Sequence, residues 1–301
     1  MRWKDRNFKH VRKIVFLVSL FLLIAQLPAQ AQERWSDQVE IIEDYEAETG
    51  YLVYLPKAQK NGEVVVFIHG YGAINPMIYG GWIKHLIAKG YVVIYPRYQD
   101  KILGTKAKLF AVNVAVAISK AQKAIQEENV MLNGIYHYTG HSYGGAICGY
   151  IGVFHEELGL PKPSSILMSQ PGTGPLNGLK LNSYEGFDVS IPFAIIVGSK
   201  DLTVGESMGR MIYQSSRDSN QKLFIRHKPD NKIDPPITAT HYEPYSIDAD
   251  LDIGYENYTL KKAIQKAKID EVDRLYWSVH DQLMQQPESL FDNEIALSDH
   301  E

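Results

Sequence analysis

From residue 64 to residue 227 the chain alternates short apolar runs with longer stretches of helical spacing. "EVVVFIHG" (63–70) is β-branched and apolar and ends in glycine, the pattern of a strand buried on both faces. "MIYGGWIKHLIAKG" (77–90) has helical spacing and a terminal glycine. "YVVIYP" (91–96) predicts a second buried strand, and "AKLFAVNVAVAISKAQKAIQEE" (107–128) a long helix with Ala, Leu and Val on one side. "IYHYTG" (135–140) predicts a strand, "YGGAICGYIGVFHEEL" (143–158) a helix, and "SSILMS" (164–169), "PFAIIVG" (192–198) and "KLFIRH" (222–227) three further strands. "TLKKAIQKAKIDEVDRLYWSVHDQLM" (259–284) reads as one closing helix with a charged outer face. Ahead of these, "YLVYLP" (51–56) reads as an edge strand paired with "VEIIED" (39–44).

Strand–helix alternation of this kind predicts a mostly parallel sheet with helices on both faces. Ligands in such sheets bind beyond the carboxyl ends of the strands, so the residues just after each strand carry the functional information. No Pro/Ser/Gly-rich linker divides the interior, and no repeat or low-complexity tract occurs, so residues 32–301 read as a single domain.

The first thirty-one residues are different. A basic head (Arg2, Lys4, Arg6, Lys9, Arg12, Lys13) precedes the apolar run "IVFLVSLFLLIAQL" and a small-x-small site at Ala29–Ala31. That order predicts a cleaved signal peptide over residues 1–31 and a secreted or periplasmic protein. A membrane anchor is the alternative, but the run is short for a span of about 20 residues. Cleavage predicts no stable membrane insertion. It takes six of the 31 Lys+Arg and one of the 35 Asp+Glu, leaving 25 bases against 34 acids. A chain that acidic is a poor partner for nucleic acid. Cys148 is the one cysteine, so no intramolecular disulfide can form; among apolar neighbours it reads as a buried small hydrophobe.

The candidate chemistry sits at strand ends. Gly140-His141-Ser142-Tyr143-Gly144 is G-x-S-x-G between a predicted strand and a predicted helix, which makes Ser142 a candidate nucleophile. Any Cβ at Gly140 or Gly144 would collide where the two backbones meet. A serine hydroxyl needs a base, and the base needs a carboxylate to orient it. Asp201 follows the strand "PFAIIVG" directly, with Asp188 and Asp218 as rivals. Of ten histidines, His227 and His241 remain as candidates for the base. His227 ends a strand, whereas His241 follows the proline-containing loop "KPDNKIDPPITAT" and is favoured. His69 reads as an organiser of its loop, and His141 as pointing away from the nucleophile. Charge developing on a carbonyl oxygen needs preorganised N–H donors. The candidates are the backbone N–H groups of Tyr143, after the serine, and Tyr71, in the "IHGYGA" loop.

"HGYG" at 69–72, "GHSYGG" at 140–145, Asp201 and "HYEP" at 241–244 resemble the α/β-hydrolase superfamily over roughly residues 50–285. The subgroup most resembled is the secreted esterases of the dienelactone-hydrolase, cutinase and chlorophyllase type. The resemblance implies an α/β-hydrolase fold without a large cap domain. It also implies Ser142 as nucleophile, His241 as base, Asp201 as its orienter and the N–H groups of Tyr71 and Tyr143 as oxyanion donors. Bacterial polyester-degrading relatives often have a disulfide and a Trp- and Met-rich nucleophile motif; Tyr143 and a lone cysteine depart from that pattern. The stretch "QPGTGPLNGLKLNSYEGFDVS" (170–190) stands where a lid would be and is too short for a helical cap, which predicts an open, shallow site. Tyr79 and Trp82 are candidates for its apolar wall, together with Tyr71 and Tyr143.

These readings predict a secreted carboxylic-ester hydrolase acting through an acyl-enzyme on a small-molecule or polymeric ester, with no cofactor and no metal. The sequence has no H-E-x-x-H. A peptidase or amidase on the same residues, and a non-catalytic binding protein on the same scaffold, are the alternatives. Nothing in the sequence fixes an oligomeric state.

Overall fold

The computed structural model describes residues 34–45, 47–57, 61–176, 178–217, 221–232, 236–267 and 275–292. The predicted signal segment lies outside the described residues. The chain divides into two units, Met1–Asp37 and Gln38–Glu301, and the sheet with the helices packed on it belongs to the second.

Eight strands form that sheet: β1 (Val39–Asp44), β2 (Tyr51–Pro56), β3 (Val64–Ile68), β4 (Val92–Pro96), β5 (Tyr136–His141), β6 (Pro163–Ser169), β7 (Phe193–Gly198) and β8 (Lys222–His227). Their order is β1-β2-β4-β3-β5-β6-β7-β8. β1 and β2 run antiparallel to their neighbours and the rest of the sheet is parallel. The sequence places "YLVYLP" at the edge; the structure corrects this. β2 lies between β1 and β4 with all six residues buried, and the edge strand is β1. In β1 only Val39 is buried and the other five residues are exposed or half-buried, as suits an outer strand.

Side chains alternate across the pleat. Val64, Val66 and Ile68 join the cluster formed with helices α2 (Phe110–Glu127) and α3 (Tyr143–Phe154), whose Ala111, Val114, Ala146 and Ile147 are buried. Phe67 faces the other way, its ring 5.2 Å from that of Trp82 on helix α1 (Gly80–Ala88). Cys148 is buried in the first cluster, and burial pushes its thiol pKa up.

Among the described residues the closing segment holds two helices, not the one predicted: α5 (Tyr258–Lys266) and α6 (Tyr276–Gln285), preceded in chain order by α4 (Ser207–Ser215). Ala267 takes φ −60°, ψ 132°, which ends α5. Charges along both segments mask this break, because no glycine or proline marks it. Among the described residues no helix is long and apolar enough to cross a membrane.

Candidate active site

The bend between β5 and α3 holds Ser142 at φ 57°, ψ −119°, a conformation that costs a non-glycine residue about 1–3 kcal/mol. Its neighbours show why they are glycine. A Cβ on Gly144 would lie 1.9 Å from the carbonyl oxygen of Ile68, and one on Gly140 would lie 2.4 Å from the Gly144 backbone. The strand and helix backbones therefore touch, and the serine is left at the apex. Backbone bonds fix the bend from both sides: Ser142 N–H donates to Ser169 O (2.9 Å), and Gly172 N–H donates to Ser142 O (3.1 Å).

Asp201 and His241 come to that apex from two loops beyond the strand ends. His241 Nε2 is 2.9 Å from Ser142 Oγ, and its Nδ1 is 2.7 Å from Asp201 Oδ2. All three residues are buried. Burial by itself would raise the Asp201 pKa. The hydrogen bond and charge of His241, with the N–H groups of Val204 and Thr203, outweigh it and hold the carboxyl below its ordinary range. An ionised Asp201 keeps the proton of a neutral His241 on Nδ1 and leaves Nε2 free to accept the serine proton.

The loop carrying His241 is fixed by Glu243. Its Oε1 accepts the backbone N–H groups of Thr238 and Ala239 and, at 2.9 Å, the Thr238 hydroxyl. No sequence motif singles Glu243 out; its position in "HYEP", two residues past the histidine, is the one local signal of this role. The rival residues sit elsewhere. Asp188 pairs with Lys162 at 2.9 Å and bonds Ser190. His227 bonds the Tyr276 hydroxyl at 3.0 Å and lies 3.2 Å from Glu243. Asp218 lies outside the described residues.

Tyr71 and Tyr143 both border a pocket of about 390 Å³ that contains Ser142 and His241. Gly70 N–H donates to the Tyr79 hydroxyl (3.0 Å) and Gly72 N–H to Gln99 Oε1 (2.9 Å), so the loop on either side of Tyr71 is pinned. Tyr143 opens α3, where a backbone N–H has no partner within the helix.

Tyr79 and Trp82 do not border the pocket. Both are fully buried behind it: the Tyr79 hydroxyl supports Gly70 and His141, and Trp82 packs between Phe67, Tyr276 and His280. Their large apolar surfaces serve the core under the site, which corrects their assignment to its wall. Ile102, Leu103 and Thr173 to Leu176 also border the pocket, and so do Tyr258, Thr259 and Lys262 of α5, which the sequence does not signal. That helix is tied to the Tyr71 loop through Asn257, whose side chain accepts Leu260 N–H (2.8 Å) as a helix cap and donates to Gly72 O (2.7 Å). Among the described residues no cluster of three or more His, Cys, Asp or Glu could hold a metal ion.

A mostly parallel eight-stranded sheet with a serine on the bend between its fifth strand and the next helix defines an α/β-hydrolase fold. No protein-family model matches the chain, and no curated protein matches it. Similar solved structures include an inhibited esterase B from Lactobacillus rhamnosis, 15% identical with a TM-score of 0.47, the match covering 71% of this chain and 84% of that one. A mutant of the esterase rPPE is 14% identical with a TM-score of 0.48, over 64% of this chain and 74% of that one. A bifunctional GH43-CE protein of Bacteroides eggerthii is 15% identical with a TM-score of 0.46, and the match covers 78% of this chain but only 38% of that one.

Proposed function

We propose that the protein is a serine hydrolase of carboxylic esters that works through an acyl-enzyme. The observation that carries this reading is the unbroken contact from Ser142 Oγ through His241 to Asp201, at 2.9 and 2.7 Å, on a strained bend that faces a mostly apolar pocket. Ser142 Oγ attacks the ester carbonyl carbon while His241 Nε2 takes its proton. The carbonyl oxygen becomes an oxyanion and accepts the N–H groups of Tyr71 and Tyr143. Collapse breaks the bond to the alcohol oxygen, which leaves with the proton from His241. Water then attacks the acyl-serine, gives its proton to Nε2, and the carboxylic acid is released with the serine reprotonated. Asp201 stays ionised throughout and stabilises the imidazolium.

The basic head and apolar run of residues 1–31 support export of the chain with that segment removed. The test of the chemistry is covalent. A fluorophosphonate probe labels the wild-type protein, and Ser142→Ala loses both the label and the turnover of p-nitrophenyl esters. Near-wild-type turnover by Ser142→Ala, or a folded wild-type protein that takes no label, would overturn the reading.

A further inference from the structure

The pocket beside Ser142 is bordered mostly by apolar and aromatic side chains; besides His241 it carries one Lys, Lys262, and no Arg, Asp or Glu among the described residues that border it. Lys262 lies one helical turn along α5 from Tyr258, on the same face as Thr259, so the helix geometry carries its ammonium to the pocket. The ammonium sits over the ring of Tyr242, 5.1 Å from its centroid. Among the described residues no carboxylate pairs with it, whereas its neighbour Lys261 stands 3.7 Å from Glu256. Tyr242 itself borders the pocket and directly follows His241 in the chain.

This arrangement has an electrostatic cost. The proposed reaction forms an imidazolium on His241, and a second cation beside the same pocket opposes it. An anion placed on Lys262 removes that opposition. The donor chemistry also suits an anion. An ammonium only donates and a tyrosine hydroxyl can donate, so the pair offers an anion two donors. One N–H of Lys262 and the O–H of Tyr242 can then meet the two oxygens of one carboxylate, as charge-assisted bonds.

We infer that Lys262 and Tyr242 form a carboxylate-binding subsite, and that the substrate is an ester bearing a second, free carboxylate remote from the bond that is cleaved. The inference rests on the ester-hydrolase reading of the same pocket. It also runs against the overall charge of the chain, which repels anions, so a local preference for a carboxylate has to come from this subsite.

The probes are the monoethyl esters of straight-chain diacids from four to eight carbons, each compared with the neutral ethyl ester of the same chain length. Binding is measured by calorimetry on Ser142→Ala, so that no turnover is needed. At one chain length or more, the carboxylate ester binds at least about tenfold tighter than its neutral twin. Adding Lys262→Gln removes the difference, and adding Lys262→Glu reverses it. Equal affinity for both members of every pair, or a preference that survives Lys262→Gln, would overturn the subsite. Ethanol release by the wild-type protein is recorded in parallel. Its absence from every ester counts against the hydrolase reading and leaves the binding result to judge the subsite.

Discussion

His141 and His241 stand side by side with ring centroids 4.6 Å apart, and only His241 reaches the Ser142 hydroxyl. His141 is committed to a chain of hydrogen bonds behind the site. Gln170 Oε1 can only accept, so the His141 Nε2 facing it donates, and the Tyr79 hydroxyl, which accepts Gly70 N–H, gives its own proton to His141 Nδ1 at 2.9 Å. The proton of a neutral His141 is therefore on Nε2, facing Gln170 Oε1 at 3.3 Å. Gln170 in turn donates to Thr240 O at 2.7 Å, next to His241. Burial, and then the nearby charge of His241, push the His141 pKa well below 6.5, so this imidazole stays neutral beside the proposed base.

That chain links the loop of Tyr71 to the loop of His241, and Tyr79 is its first member. Tyr79→Phe leaves Gly70 N–H and His141 Nδ1 without their partner in a buried place. We expect kcat for p-nitrophenyl esters to fall about tenfold, because loosened positioning of a donor weakens transition-state binding. KM changes less, since the ring contacts of Tyr79 remain. Steady-state kinetics check this; an unchanged kcat would show that the chain does not position the site.

The bend should tolerate no added methyl at Gly144. A Cβ there meets the Ile68 carbonyl oxygen at 1.9 Å, and backbone on both sides has no room to move. Gly134 is a different case: φ is +85°, but nothing lies within 4 Å of an added Cβ. Gly144→Ala is expected to cost more than about 3 kcal/mol, while Gly134→Ala costs about 1 kcal/mol from backbone strain alone. Thermal or urea unfolding of the two variants gives the comparison, and equal losses would contradict it.

Stability should fall early in acid. Burial lowers the pKa of His69 and His227 to about 4 and that of His280 to about 3. An unfolded histidine titrates near 6.5, so above that pH neither state binds a proton at these sites. Below it the unfolded chain takes up protons that the folded chain refuses, and stability drops by about 1.4 kcal/mol per pH unit for each histidine until the folded pKa is reached. The carboxyl of Asp188, held at about 2, loses its contribution only at lower pH. The urea midpoint should be flat from pH 8 to 7 and fall steeply between pH 6.5 and 4.5. A midpoint unchanged down to pH 5 would rule this account out.

The buried strands are legible in the sequence because runs such as "EVVVFI" and "FAIIV" suit only a doubly covered position. The serine bend is legible because G-x-S-x-G stands between a strand and a helix, although Gly144 answers to the Ile68 carbonyl, far back in the chain. What the sequence does not carry is adjacency between distant segments. β2 pairs with β4 rather than with β3, its neighbour in the chain, so its place inside the sheet is not written in its own residues. Trp82 and Tyr79 look like site aromatics until Phe67 and His141 are seen behind the loop. The wall made by Tyr258, Thr259 and Lys262 comes from a helix more than a hundred residues beyond Ser142, and no local pattern announces it.

The contact between Gly72 and Thr259 binds these distant parts more closely than a shared pocket would. Gly72 has φ +74°, and an added Cβ would fall 2.3 Å from Thr259 Oγ1, so helix α5 presses directly on the turn that follows Tyr71. A substrate that seats poorly on the helix would then shift the turn that carries the proposed donor Tyr71. Discrimination by this helix should then surface as slower turnover, and not only as weaker capture.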